Sequence, residues 1–438
     1  MFSHCAEGAA FNMLSCCPGE DTATQARFVW HSDSGSCLLF CAKASDPSNV
    51  YTILPYARKN KPVAFREQDI AYYKYEAEIP DLEPGTEYIY WVESGSESSA
   101  RQKFKTAGTS GSFNFLWMSD VHAHPGCLGK IANVNKLYSD AVAKTAASGG
   151  IDFALFTGDY VKYGACYDNW QQWNGAPVMA ENMFALIVGN HEYYYASGRT
   201  NVSGRSETKM WHNKWMLACR NDPKNGAKGA SERLETSYWF VRDSVLFVCL
   251  DSLVDYSAFM SDDLYANAVA YQKEWFRSVV QSQAGKYRYL IVAQHDPWIK
   301  KTSTLSVSNG DYRKWYSLFD EFQVDLALSS DDHVYHRSNP LKGDAKQSST
   351  RDGTVYMVSP CIDKKNYSTK LLGPGAFGGD AAKYLATTSE SGAFGACWIE
   401  VRPEGLNVIY FWDDVNGSYS KKDEFTILPK QRGEVQCI

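Results

Sequence analysis

The sequence predicts an all-β sandwich followed by a four-layer α/β domain, in which two packed β-sheets are flanked by helices. The chain has 438 residues, more than a single ordinary core accommodates. Its first hundred residues hold short aromatic and β-branched runs separated by turns, which is typical of a sandwich. After the small-residue segment AGTSGS at 107–112, strand-like runs alternate with helical periodicity, as in α/β folds. We therefore predict domains at residues 1–107 and 112–438.

The first domain is predicted from five short strand-like runs. The turn sequence DLEPGT at 81–86 places Pro-Gly directly before one of them. Strands at this spacing are typical of a sandwich of about 100 residues. This part of the sequence contains no polar cluster with a catalytic arrangement, so we expect it to have a structural or orienting role. The runs are Arg27–Trp30, Cys37–Cys41, Ala71–Glu78, Glu87–Val92 and Phe104–Thr106.

The second domain is predicted from apolar runs that alternate with helical segments. This order indicates βαβ units with a parallel sheet, and the chain then ends in a β-rich tail. The core strands are predicted at 113–118, 152–157, 184–188, 245–250, 287–293 and 324–328. The helices are predicted at 133–147, 266–283 and 312–322, and the tail strands at 354–358, 396–401, 406–412 and 424–428.

Composition excludes several classes of function. A net charge of −6 argues against nucleic acid as the main partner. No apolar run approaches the roughly 20 residues that span a bilayer, so no membrane span is expected. The 12 cysteines form no CxxC zinc pattern and leave the redox compartment open. The N-terminus lacks the basic and apolar regions of a signal peptide, which fits a cytoplasmic protein or the mature part of an exported one.

Polar side chains follow five of the predicted core strands. In open α/β sheets the carboxyl ends of the strands meet at one edge, so these side chains are expected to form one cluster. Any one of them could instead cap a loop or lie satisfied in the core, but five together favour a common site. They are Asp120 with His122, Asp159, Asn190 with His191, His295, and Asp331 with His333.

Imidazole and carboxylate groups together indicate a transition-metal site. These ligands suit Zn, Mn and Fe, and one carboxylate can bridge two ions. Two ions about 3.5–4 Å apart can hold both a nucleophilic oxygen and the oxygens of a phosphate. The sequence therefore predicts two divalent or trivalent metal ions, Fe, Mn or Zn, as cofactors.

The motifs resemble those of a known family. DVH at 120–122, GDYVKYG at 158–164, GNHE at 189–192, QHDPW at 294–298 and SDDHVYHR at 330–337 are similar to the motif set of calcineurin-like metallophosphoesterases. RFVWHSD at 27–33 and the segment at 81–106 resemble the fibronectin type III-like domain that precedes the catalytic domain of purple acid phosphatases. The resemblance implies a binuclear hydrolase of small phosphorylated substrates, with a metal-bound hydroxide as nucleophile. It favours phosphomonoester hydrolysis and a secreted or periplasmic location.

The resemblance also implies a role for each matched residue. His191 matches the histidine near the leaving group, a candidate general acid or phosphate ligand. The first metal ion would take Asp120, His122, Asp159 and His333. The second ion would share Asp159 and would take Asn190, His295 and Asp331.

Two departures from the family pattern matter. The purple enzymes carry a tyrosine three residues after the bridging aspartate, where this chain has Lys162, with Tyr163 one residue out of register. We therefore expect no tyrosinate-to-iron colour. The family motif Gly-His-x-His becomes Ser-Asp-Asp-His, so its first histidine is Asp331. A carboxylate there is expected to stay a ligand, to favour Mn or Fe over Zn, and to weaken the second site.

Two other functions and three further residues also fit the sequence. The chain could be a phosphodiesterase acting on nucleotides or phospholipid head groups, or a binding protein whose catalysis is weakened by Asp331. Three residues near the motifs are candidates for substrate binding: His124, Tyr163 and Arg337. His124 could equally be a solvated loop residue.

Overall fold

Two antiparallel sheets form the N-terminal part of the computed structural model. The first contains, in order, Phe11–Pro18, Ala26–Ser32, Tyr73–Ile79 and Ala57–Lys59. The second contains Asp46–Ile53, Leu38–Lys43, Glu87–Ser94 and Glu97–Ser98, with Gln102–Lys105 also paired to Glu87–Ser94. The structure describes residues 11–59, 72–164, 166–193, 220–229, 235–255, 267–303, 306–308, 310–360, 362, 370–389, 395–413 and 418–432.

Aromatic side chains from both sheets form the core of this sandwich. Phe28 of the first sheet packs against Tyr90 and Phe104 of the second, with ring centroids 5.0 and 5.6 Å apart. All three side chains are buried. Large rings at alternate positions of facing strands fill the space between two sheets, which explains why aromatic-rich runs marked these strands in the sequence.

Two larger sheets form the rest of the chain. In the six-stranded sheet the order is Phe184–Leu186, Phe153–Phe156, Phe113–Met118, Ala396–Arg402, Gly405–Asp413 and Tyr419–Ile427. In the eight-stranded sheet it is Tyr238–Arg242, Val245–Cys249, Tyr289–Ala293, Leu326–Ser329, Val355–Val358, His336–Ser338, Leu385–Ser389 and Leu371–Leu372. The first three strands of the six-stranded sheet are mutually parallel, and so are the four from Val245–Cys249 to Val355–Val358. Short hairpins pair Lys300–Ser303 with Ser306–Ser308 and Leu341–Lys342 with Ala345–Lys346.

The two larger sheets pack face to face, and helices cover their outer faces. Phe115 of the six-stranded sheet meets Phe247 of the eight-stranded sheet with ring centroids 5.5 Å apart. Val134 of the first helix packs in the apolar cluster outside the six-stranded sheet, and Phe276 in the cluster outside the other. The α-helices of the described residues are Leu128–Thr145, Tyr167–Asn174, Pro177–Glu181, Ala268–Ser282, Tyr312–Glu321 and Gly379–Tyr384. Single 3₁₀ turns are Ala146–Ser148, His191–Tyr193, Ser252–Asp255 and Pro374–Ala376.

The predicted fold class is confirmed, and the main differences concern strands without clear alternation. Phe11–Pro18 was not predicted, because a β-bulge between Asn12 and Ser15, with Met13 at φ 58°, breaks its period of two. Asp46–Ile53 was not predicted either, because nearly all of it is exposed and it begins with Asp-Pro-Ser-Asn. Positions 71 and 266 of the predicted elements lie outside the described residues. The division into domains at 107–112 stays a prediction.

Two further observations concern the cysteines and the length of the helices. Eight of the 12 cysteines lie in the described ranges, and the seven of these that are buried are free thiols. Within those ranges no helix has the length and apolar character needed to cross a membrane. The secreted or periplasmic location stays a prediction.

Candidate active site

Five strands of the two large sheets deliver the predicted site residues to one place. Asp120 and His122 follow the strand Phe113–Met118, and Asp159 follows Phe153–Phe156. His295 follows Tyr289–Ala293 of the other sheet. Because each is a parallel strand within its sheet, the carboxyl ends point to a common edge. Asn190 with His191 and Asp331 with His333 arrive in the same way after Phe184–Leu186 and Leu326–Ser329.

Seven candidate ligands converge in two groups that share one carboxylate. In the first group, Asp120, His122, Asp159 and His333, the ligand atoms all lie within 4.8 Å of one another. In the second, Asp159, His295 and Asp331, they meet the same limit. Asn190 joins the second group, because its Oδ1 lies 3.0 Å from His295 Nε2.

Asp159 presents one carboxylate oxygen to each group. Its Oδ2 lies 3.2 Å from His122 Nε2, and its Oδ1 lies 3.4 Å from His295 Nε2. Burial would raise the pKa of Asp159, but the neighbouring charges of His295 and His191 hold it well below its ordinary value. A buried, ionised carboxylate between two sets of nitrogen and oxygen donors has the charge and position of a bridging ligand.

Asp120 shows why a cation suits the first group. Its Oδ1 is buried and accepts no hydrogen bond from the described residues, although His333 Nε2 lies 3.3 Å away. Its other oxygen accepts a hydrogen bond from the Ser119 hydroxyl. A buried carboxylate oxygen without a donor is costly unless a cation meets it. The residues present therefore fit a bound metal ion.

Asp331 lies at the edge of the second group. Its Oδ1 is 3.8 Å from His295 Nε2, and its side chain is 28% exposed. His295 is fully buried and is oriented by Thr157 O and Ser330 Oγ, at 2.7 and 3.0 Å from its Nδ1. Asp331 is thus the more accessible of these two side chains.

Five of the candidate ligands have left-handed backbone conformations. Residues other than glycine rarely adopt this region, at a cost of about 1–3 kcal/mol each. The described residues include eleven such non-glycine positions, so nearly half of them fall on this one cluster. Such concentration is typical of functional sites. The φ angles are 54° at Asp120, 51° at His122, 55° at Asp159, 68° at Asp331 and 55° at His333.

Two glycines make room for the shared carboxylate. A Cβ on Gly189 would lie 2.3 Å from Asp159 Oδ1 and 2.9 Å from His295 Cε1. Gly158 has φ 103°, and a Cβ there would lie 2.4 Å from His295 Nδ1. Glycine is therefore required at both positions for the two sheets to bring their ligands this close.

The first two ligand-bearing loops continue the parallel pairing of their strands. Backbone N–H groups of residues 120, 122 and 123 donate to the carbonyls of 158, 159 and 160 at 3.1, 2.8 and 2.9 Å. The N–H of Lys162 donates back to Ala123 O at 2.9 Å. These hydrogen bonds hold both loops in register beyond the ends of the strands.

Glu192 is a functional residue that the sequence interpretation missed. Its buried carboxylate accepts hydrogen bonds from the N–H groups of Gly189 at 2.7 Å, Asp159 at 2.8 Å and Val161 at 3.2 Å. It therefore ties the GNHE loop to the loop of the shared ligand. Burial, reinforced by the charge of Asp159, raises the pKa of Glu192 to about 8. The only sequence signal was a charged residue inside the motif; its partners depend on the fold.

His191 lies beside the first group. Its Nδ1 is 2.8 Å from Lys162 O, and its Nε2 is 3.8 Å from Asp159 Oδ2. Its ring meets the ring of His122 edge to face, with centroids 4.3 Å apart. Burial lowers the pKa of His191. The Lys162 carbonyl accepts the Nδ1 hydrogen, so Nε2 is the nitrogen turned toward the cluster.

The three predicted substrate-binding residues have other contacts. His124 Nδ1 lies 3.0 Å from His122 O, and burial lowers the pKa of His124. The N–H of Tyr163 donates to Asn169 at 3.2 Å, and no described contact takes its ring to the ligands. Arg337 forms a two-point ion pair with Asp423 at 2.8 and 3.2 Å and lies 4.2 Å above the Phe425 ring. These contacts fit a structural role for Arg337 better than the predicted role in substrate binding.

Comparison with known proteins identifies a family and similar solved structures. The family described as calcineurin-like phosphoesterase matches residues 113–335, about half of the chain. A purple acid phosphatase from seeds of yellow lupin (Lupinus luteus) is 14% identical with a TM-score of 0.67, covering 98% of this chain and 76% of that one. The structure of PhoD is 13% identical with a TM-score of 0.60, covering 94% of this chain and 89% of that one. At these identities the two structures establish the fold alone. No curated protein sequence matches the chain.

Proposed function

We propose that this chain, which belongs to the calcineurin-like phosphoesterase family, is a phosphomonoesterase with two metal ions in its active site. As a member of that family it is a phosphoric ester hydrolase. The observation that carries the finer proposal is the sharing of Asp159 between two groups of candidate ligands. One shared carboxylate between two such groups suits a pair of ions better than a single ion.

We assign the ligands by the two groups. The first ion would be held by Asp120, His122, Asp159 and His333, and the second by Asp159, Asn190, His295 and Asp331. Together the bound ions would supply Lewis acidity, which activates water at neutral pH and offsets the negative charge of a phosphate. The harder carboxylate of Asp331 in place of an imidazole is expected to favour Mn or Fe over Zn in the second site.

His191 is assigned the proton transfer to the leaving group. The Lys162 carbonyl fixes the ring through Nδ1, and Nε2 faces the cluster. When both nitrogens carry hydrogen, Nε2 can donate its proton to the oxygen of the departing alcohol. Glu192 keeps the loop that carries His191 in place and touches no substrate in this assignment.

Turnover and metal content test the proposal. Purified protein reconstituted with Mn, Fe or Zn is assayed with a chromogenic phosphate monoester and a diester, and the ions per chain are counted. We expect two ions per chain and faster turnover of the monoester. A single tightly bound ion would contradict the binuclear centre, whereas faster turnover of the diester would favour a phosphodiesterase. Absence of turnover with every metal would favour the binding protein.

A His191 variant tests the assigned proton transfer. His191→Gln is expected to lower kcat by about 10²–10⁴-fold, the usual contribution of general acid catalysis. The loss should be smaller for monoesters with acidic leaving groups, which depart without a proton. His31→Gln is the matched control, because it removes a buried histidine, whose Nδ1 lies 3.1 Å from the Tyr167 hydroxyl outside the candidate ligands, and it is expected to change kcat little. An equal loss for all leaving groups would contradict the assignment.

A further inference from the structure

A lysine lies next to Asp331, the residue that departs from the family pattern. Lys300 opens the short hairpin that pairs Lys300–Ser303 with Ser306–Ser308, five residues after His295. Its Nζ lies 3.6 Å from Asp331 Oδ2, whereas the other oxygen, Oδ1, faces His295. The carboxylate of Asp331 is thus directed on one side to the candidate metal site and on the other to a positive charge.

Asp332 holds this lysine in position. Its Oδ1 lies 3.5 Å from Lys300 Nζ, and its Oδ2 accepts a hydrogen bond from the N–H of Lys301 at 2.8 Å. The Asp332 side chain is buried, so it forms a fixed support for the hairpin. The hairpin and the ligand loop are therefore joined at both backbone and side chain.

A contribution to folding stability does not explain the ion pair between Lys300 and Asp331. The Lys300 side chain is 47% exposed, and ion pairs of that exposure contribute little to folding. Charge close to the site matters more. An aspartate in place of a neutral histidine adds one negative charge, and a nearby lysine cancels it. Fixed charges of this kind change the affinity of a site for both cations and anions.

We propose that Lys300 is the counter-charge of Asp331, so that the pair replaces a neutral histidine without changing the net charge of the second metal site. The inference rests on the proposed function, because it requires Asp331 to be a ligand of the second ion. Lys300 acts through Asp331 as a positioning residue. It limits the affinity of the site for the second cation and preserves its affinity for an anionic phosphate.

The proposal ranks the wild type and three variants by the net charge beside the second metal site. Lys300→Met leaves Asp331 without its counter-charge, Asp331→His leaves Lys300 paired with Asp332 alone, and the double variant has the same net charge at these three positions as the wild type. Affinity for the second ion should therefore be highest in Lys300→Met, similar in the wild type and the double variant, and lowest in Asp331→His. Affinity for phosphate should be weaker in Lys300→Met than in the wild type. Each single change is expected to be about three- to tenfold, because the lysine is half exposed to solvent.

Calorimetric titration of the full chain tests this order. Metal-free protein is titrated with Mn²⁺, and the Mn-loaded protein is then titrated with inorganic phosphate. Lys300→Arg keeps the charge and should stay within about twofold of wild type in both titrations. Lys314→Met is the matched control: this lysine is 42% exposed and pairs with Asp311 at 2.8 Å, outside the candidate ligands. It should change neither affinity.

The outcomes separate this inference from the proposed function. Tighter Mn²⁺ binding with weaker phosphate binding in Lys300→Met supports the counter-charge role, because a merely structural role would weaken both. Unchanged affinities, or a loss of both, overturn the role of Lys300 while two bound ions in the wild type uphold the binuclear proposal. A wild-type protein that binds one Mn²⁺ overturns both.

Discussion

Removal of the Glu192 carboxylate should break the hydrogen bonds that hold the GNHE loop against the loop of Asp159. In Glu192→Ala the N–H groups of Gly189, Asp159 and Val161 lose their acceptor. An unsatisfied buried donor costs about 1–3 kcal/mol, so three together should lower the free energy of unfolding by about 3–9 kcal/mol. In Glu192→Gln one oxygen still serves the two closer donors, and the amide nitrogen cannot accept from Val161. The expected loss is then about 1–3 kcal/mol.

Urea unfolding of the metal-free protein measures these losses without a contribution from bound ions. Hydrogen exchange at the amides of Gly189 and Asp159 reports the same effect locally. Glu181→Ala is the control, because Glu181 is exposed and accepts one hydrogen bond, from the Tyr138 hydroxyl at 2.9 Å. A Glu192→Ala protein within about 1 kcal/mol of wild type would refute the role of Glu192, since even one unsatisfied amide should cost that much.

Three further predictions follow from single contacts. Gly189→Ala should bind at least tenfold less metal, because its Cβ would lie 2.3 Å from Asp159 Oδ1, whereas Gly175→Ala, with 3.5 Å to its nearest neighbour, should bind normally. Equal metal content by elemental analysis would contradict the steric account. Burial and contact with Asp140 raise the pKa of Asp413 to about 6, so the folded protein binds this proton more tightly than the unfolded chain, whose aspartate pKa is about 3.9. As the pH rises from about 4 to 6, the free energy of unfolding of the wild type should therefore fall by about 1–3 kcal/mol relative to that of Asp413→Asn. Plots of Tm against pH that run parallel for the two proteins would contradict this. Arg337→Met loses the ion pair with Asp423 and the contact with Phe425, so Tm should fall while kcat/KM for a monoester stays within about twofold. A tenfold loss of kcat/KM would restore a role in substrate binding.

The sequence predicted which strand ends carry the candidate ligands better than it predicted their surroundings. Asp159 and His295 could be predicted because each follows an apolar strand, and strand ends meet at one edge of a sheet. Glu192 could not be understood in the same way, because its three partners come together only when two loops fold against each other. Lys300 carries no motif, and its position next to Asp331 depends on the hairpin. Arg337 was predicted near the substrate because it is close in sequence to His333, and that role stays a prediction; its ion-pair partner Asp423 is 86 residues away and could not be read from the sequence.

The hydrogen-bonded loops beyond the strands have a consequence for how such a site changes over time. Residues 120–123 and 158–162 hold each other through backbone groups, which do not depend on the side chains they carry. Exchanging one ligand side chain for another is therefore limited more by the charge that the new side chain introduces than by the backbone that holds it. The loop of Asp331 is held in a similar way, because the N–H of Ser330 donates to His295 O at 2.8 Å and the N–H of Asp332 donates to Ser330 O at 2.9 Å. A backbone frame of this kind keeps its geometry when one ligand side chain is exchanged for another.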